Sequence, residues 1–114
     1  MRRVALVGAW LLGACEPELP AELGDCPEDS TVGWAEASAV FEANCTRCHH
    51  SELEGDDRNG AEELVNFDTR EAASQNDFLV WSMIWPERMP PDADPMSEDE
   101  AWIVWEWLSC GGPE

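Results

Sequence analysis

Two of the five cysteines in this 114-residue chain stand three apart, directly ahead of a histidine, in Cys45-Thr46-Arg47-Cys48-His49. No other feature limits the fold as much. Residues three apart on a helical turn share a face, so both sulfurs point one way. The imidazole that follows can point at whatever the sulfurs hold. A chain this short buries only a modest core unaided, so a group gripped there becomes part of the interior. A zinc site would need a second pair of ligands, yet the one other histidine is His50 and no second CxxC exists. A redox CxxC belongs at a strand-to-helix junction of a thioredoxin-like sheet, and no strand pattern precedes Cys45. In an exported chain, CxxCH attaches haem c: two thioether bonds to the vinyl groups and one axial nitrogen to iron.

The N-terminus supplies the export signal. Arg2 and Arg3 form a positive region, and Val4 to Leu12 an apolar one too short to span a bilayer. Leu12-Gly13-Ala14-Cys15 resembles a bacterial lipobox, which implies cleavage after residue 14 and a lipid on Cys15. Glu16 follows; an Asp there would mark inner-membrane retention, so the resemblance leans toward the outer membrane. The chain carries a net charge of −19, with six Arg and no Lys. Removing residues 1–14 takes away Arg2 and Arg3 and no acid, so −19 becomes −21. Nucleic acid and anionic lipid headgroups would repel such a surface. A redox protein with a basic docking face would not.

Residues 15–33 hold the anchor and an extension with Pro17, Pro20, Pro27 and Gly24 and no apolar period, the pattern of a tether or a loosely packed extension. The domain proper runs over 34–114. Trp34, Ala37, Val40 and Phe41 predict a helix near Trp34 to Ala43. Ser51 to Gly60 is acidic and turn-rich and reads as a solvated loop, since the alternating ligands of a calcium loop are missing. Ser74 to Trp85 predicts one helix, apolar on most faces, ended by Pro86. Ser97-Glu98-Asp99-Glu100 fits a capping box. The helix after it carries a stripe of Ala101, Val104, Trp105 and Leu108, with Ile103 and Trp107 on another side, and Gly111 and Gly112 stop it. No internal repeat is visible, and an all-α domain of three to four helices around one covalently bound haem follows.

A sixth ligand to iron has few sources. His50 is locked beside His49 and cannot reach the opposite face, which leaves methionine, a ligand that raises the haem potential. Met83 lies inside an apolar helix, where Met is ordinarily core filler. Met96 precedes the capping box and is expected to pack against the helix start. Met89 precedes Pro90-Pro91, which hold the chain extended, and is the residue chosen. The apolar residues Phe78, Leu79, Trp81 and Met83 are expected around the iron, and Arg88 or Trp85 near the propionates.

Phe41, the Cys45-x-x-Cys48-His49 motif, Met89-Pro90-Pro91, the acidic helix start and Trp107-Leu108 before Gly111 come in the order of the class I cytochrome c family. The chain resembles it over residues 34–112, most nearly the small haem domains of bacterial lipoproteins. The resemblance implies attachment at Cys45 and Cys48, proximal His49, distal Met89, and Phe41 packed on Trp107 where first and last helices cross. It implies single-electron transfer through a partly exposed haem edge rather than catalysis. A second class stays open: a haem-bearing subunit or sensor module with an open iron site, serving a larger oxidoreductase complex. Two features depart from the family: Trp102 and Trp105 make an apolar patch on the last helix, and Cys110 replaces a small residue. With Cys15 lipidated and Cys45 and Cys48 on haem, Cys26 and Cys110 remain. Their disulfide, permitted in an oxidising compartment, would fold the extension over the Trp102/Trp105 face.

Overall fold

The computed structural model describes residues 18–114 apart from Asp92; the expected signal segment 1–14 and Cys15 lie outside the described residues. Four α-helices form, α1 (Trp34–Asn44), α2 (Arg70–Ser74), α3 (Asp77–Ile84) and α4 (Glu98–Ser109), with a short 3-10 turn at Gly55–Arg58 and no strand among the described residues.

Helices α1 and α4 cross and build the core. At the start of α1, the Glu36 carboxylate accepts from the Gly33 N–H at 3.0 Å. At the start of α4, the Ser97 hydroxyl accepts from the Glu100 N–H at 3.2 Å while Glu100 accepts from the Ser97 N–H at 3.1 Å. The predicted capping box therefore satisfies two amide groups that the helix leaves unpaired. Ala37, Val40 and Phe41 of α1 are buried against Ala101, Val104, Trp107 and Leu108 of α4. The Phe41 and Trp107 rings meet edge to face, 5.7 Å apart, and Trp34 stacks obliquely on Trp107 at 5.4 Å. On α4 the buried aromatic is thus Trp107, not Trp105; Trp105 and Ile103 stay half-buried. The Trp107 indole donates to the Pro113 carbonyl at 2.8 Å, which seats the C-terminal turn. Gly112 there has φ +71°, and a Cβ on it would lie 2.8 Å from the Ser74 Cβ, so only glycine fits.

The helix expected over Ser74–Trp85 forms as α3 but starts three residues later, at Asp77; Ser74 closes the separate short helix α2. Thr69 caps α2 by accepting from the Ala72 N–H, and Asn76, at φ −121° and ψ 43°, interrupts the run before α3. Asn and Asp favour such breaks because their short polar side chains compete for backbone hydrogen bonds; here Asp77 accepts from the Phe78 N–H.

The extension is not a loose tether from Glu18 onward. Trp85 donates to the Leu19 carbonyl at 3.0 Å, Trp81 to Pro20 at 3.1 Å and Trp105 to Glu22 at 2.9 Å. Further along, the Gly24 N–H donates to the Ser109 hydroxyl and the Ser30 hydroxyl to Glu106. Cys26 and Cys110 are joined by a disulfide with their Cα atoms 4.5 Å apart. The extension therefore lies along α3 and α4 together and reaches Trp81 and Trp85 as well as Trp105.

Candidate functional site

Helix α1 delivers the motif. The Cys45 and Thr46 N–H groups both donate to the Phe41 carbonyl, and Cys48 and His49 donate to the Cys45 carbonyl. The chain thus turns tightly at the helix end, and both cysteines, neither in a disulfide, face one cavity of about 430 Å³ with His49. That volume falls in the range of cofactor sites. The rest of the lining is largely apolar, with Val65, Phe67, Leu79, Val80 and Ile84. Met83, Met89 and Met96 all line it too. Met96 also borders a second, open cleft beside Trp85 and Glu98.

His49 is held on two sides. Its Nδ1 lies 2.8 Å from the Val65 carbonyl. A carbonyl only accepts, so Nδ1 carries the proton and Nε2 is left with its lone pair free for a metal. Phe67 packs edge-on against the imidazole at 5.4 Å and donates its N–H to the His49 carbonyl. His50 does not line the cavity; its Nδ1 accepts from the Glu52 N–H at 3.1 Å. Behind it, Asp68 accepts from both the N–H and the hydroxyl of Ser51. Burial works to raise the Asp68 pKa, and these hydrogen bonds outweigh it, leaving the carboxyl below its ordinary value.

The Cys45 thiol is pushed up to about 12, first by burial and then by the charge of Glu100. A free thiolate is thus disfavoured there, while a neutral thioether carries no such penalty. The residues fit haem c: two sulfurs and one imidazole nitrogen converge on an apolar space with methionines in its lining.

Several expected neighbours sit elsewhere. Phe78 points outward and is 74% exposed. Trp81 is buried but donates to the extension, and Trp85 does likewise, so its indole is committed away from a propionate. Arg88 is exposed and does not line the cavity. Leu79 and Met83 do line it, as expected.

Sequence reasoning missed three elements of the site. The Val65 carbonyl is a backbone group and has no side-chain signature. Asn59, left-handed at φ 51°, donates its amide to the Cys48 sulfur at 3.4 Å. Arg58, in the segment read as a solvated loop, is only 3% exposed. The exclusive use of Arg among the cations was the available signal, since a guanidinium serves several acceptors where an ammonium does not.

No curated protein matches the chain, and no solved structure does. A protein-family model, cytochrome c oxidase, cbb3-type, subunit III, matches residues 33–108. That span runs from the cap of α1 to the end of α4 and contains every cavity residue named above. The chain therefore belongs to this family of c-type cytochrome domains, whose members carry covalently bound haem c and move electrons without catalysing a reaction themselves.

Proposed function

We propose that the chain is an exported electron carrier with a single haem c, attached through Cys45 and Cys48 and ligated by His49 and Met89. The haem supplies a one-electron ferric/ferrous couple. The protein's part is to hold the imidazole, exclude water and leave an edge open to a redox partner. The observation that carries this reading is the cavity of about 430 Å³ shared by both sulfurs, the oriented imidazole and the methionines. Met89 is preferred because it sits in the non-helical loop after α3, whose Arg88 and Met89 N–H groups both donate to the Met83 carbonyl. That loop is held by backbone bonds, and its side chain is free to serve as a ligand. Met83, by contrast, is fixed on a helix.

Residues 1–14 act as the signal and Cys15 carries the lipid, so the domain 34–114 works at the cell envelope, with the outer membrane favoured by Glu16. No helix among the described residues is long and apolar enough to cross a membrane. The redox partner presents a basic face to a chain with far more acids than bases. A second reading is a haem-bearing subunit of a larger oxidoreductase, which the family's description as an oxidase subunit favours.

The optical spectrum of the mature domain, made with a haem c maturation system, tests these readings. A low-spin six-coordinate spectrum that is lost in Met89→Ala and kept in Met83→Ala and Met96→Ala is expected. A high-spin spectrum that shifts with carbon monoxide would favour the open-iron subunit. Haem that leaves on denaturation would refute covalent attachment.

A further inference from the structure

Arg58 is the one buried charged residue among those described, 3% exposed. Its guanidinium makes six hydrogen bonds, all to neutral acceptors. Nε donates to the Ala61 carbonyl, Nη1 to His50 and Leu53, and Nη2 to Glu62, Val65 and the Asn66 side-chain oxygen. No ion pair joins it to a carboxylate among the described residues. Burying an uncompensated charge is costly, and gathering backbone carbonyls does not by itself require one. One acceptor stands out. The Val65 carbonyl receives Arg58 Nη2 at 3.2 Å and His49 Nδ1 at 2.8 Å. The charge therefore sits one carbonyl away from the imidazole.

We infer that Arg58 is a positioning residue that raises the reduction potential of the haem through the Val65 carbonyl; this rests on the haem reading above. Two effects act in the same direction. A carbonyl already engaged by a cation draws less on the imidazole N–H, so His49 stays a neutral, weaker donor and favours ferric iron less. The buried cation also opposes the extra positive charge of the oxidised state, through surroundings that screen it poorly. The fixed fork keeps the carbonyl at the imidazole.

The test is the midpoint potential of the haem-loaded mature domain, titrated one electron at a time against mediators. The titration is run beside the optical spectrum and the thermal midpoint. Arg58→Met removes charge and fork; Arg58→Lys keeps the charge and loses the fork. Arg58→Met is expected to shift the ferric/ferrous equilibrium about tenfold toward ferric, about 59 mV lower for one electron. Arg58→Lys is expected to shift it by less than half as much, and both keep the wild-type low-spin spectrum. A role confined to stapling the loop would lower the thermal midpoint and leave the potential alone; that result, with haem attached, overturns the inference. If Arg58→Met does not retain haem, Asn66→Asp decides. It preserves an acceptor for Arg58, 2.9 Å away in the wild type, while neutralising its charge. A lower potential supports the inference, and an unchanged one overturns it. Wild-type protein without covalent haem defeats the functional reading itself, a failure plainly different from an unmoved potential.

Discussion

The Cys26–Cys110 bridge closes a loop with a sequence separation of 84, long enough for its effect on the unfolded chain to dominate. In the chain-entropy model, a loop of this length restricts the denatured ensemble by about 4.5 kcal/mol at 25 °C. The native side reduces that figure. Once unlatched, the extension is held by three indole–carbonyl bonds, the Gly24–Ser109 bond and the Ser30–Glu106 bond, and it can peel away without global unfolding. A Cys26→Ser/Cys110→Ser variant should therefore lose about 3–4.5 kcal/mol. With a urea slope of about 2 kcal/mol/M, the midpoint falls by about 1.5–2.3 M. Neither cysteine lines the cavity, so the visible spectrum should not change. The assay is urea unfolding followed by far-UV circular dichroism, with the bridge in the parent verified by mass spectrometry of unreduced peptides. A loss below about 1 kcal/mol from a verified bridge would refute the reasoning. It would mean that the unfolded chain is already held compact by other contacts, the covalent haem among them.

Three more expectations can be checked directly. Trp107→Ala or Phe41→Ala, each removing a fully buried ring from the helix crossing, should cost about 3–5 kcal/mol in the same unfolding assay. Burial works to raise the Glu100 pKa, but hydrogen bonds from the Ser97 amide and the Asn44 side chain outweigh it and lower the value. Its folded pKa thus lies below the unfolded one. The stability it confers is complete above about pH 4.3 and is lost as pH falls through the folded pKa; Glu100→Gln should flatten that acid limb in a pH series of thermal melts. In the haem-free chain, a Cys45 thiol near pKa 12 is only about one part in 10⁴ thiolate at pH 8. Iodoacetamide should therefore leave it unmodified, as peptide mass mapping would show, until the chain is unfolded.

Helices α1 and α4 were legible because short-range signals define them. The period of Ala37, Val40 and Phe41 marks one buried stripe, and Ser97 and Glu100 mark a start by reciprocal hydrogen bonds that need nothing beyond four residues. The choice between Trp105 and Trp107 was not legible from periodicity, which put Trp105 in the stripe; the family resemblance pointed to Trp107. What decides it is the Phe41 and Trp34 pocket on α1 and the Pro113 carbonyl, contacts across the fold. The break at Asn76 has a signal in the sequence: Ser74, Gln75, Asn76 and Asp77 form a polar run, and Asn and Asp compete for backbone hydrogen bonds. In the site, the CxxCH motif marked the cavity residues Cys45, Cys48 and His49, while the partner that orients His49 is a backbone carbonyl brought in from sixteen residues away. Arg58 was hidden by its acidic neighbours Asp56 and Asp57, which face solvent while the guanidinium turns inward.

Helix α3 shows why the extension belongs to the fold. The sequence made this helix apolar on most faces, and a cofactor accounts for only one of them. Leu79, Val80, Met83 and Ile84 line the cavity, but Trp81 and Trp85, one turn apart, face another way. A small helical domain has no spare helix to cover that second face, and the indole N–H of the buried Trp81 would be costly without a partner, while the exposed Trp85 gains one too. Residues Leu19 and Pro20 meet both needs, with apolar side-chain mass and carbonyls for the two indoles. The same strand of chain then takes the Trp105 indole at Glu22 and reaches the bridge at Cys26. The proline-rich composition that reads as a tether suits this role as well: an extended segment without internal hydrogen bonds leaves its carbonyls free to accept from side chains. Deleting residues up to Asp25 should accordingly uncover Trp81, 1% exposed, and strip the partner from Trp85, already 45% exposed. In the haem-free chain, where no cofactor quenches them, the expected sign is red-shifted tryptophan emission; unshifted emission would mean that the indoles are sheltered without the extension.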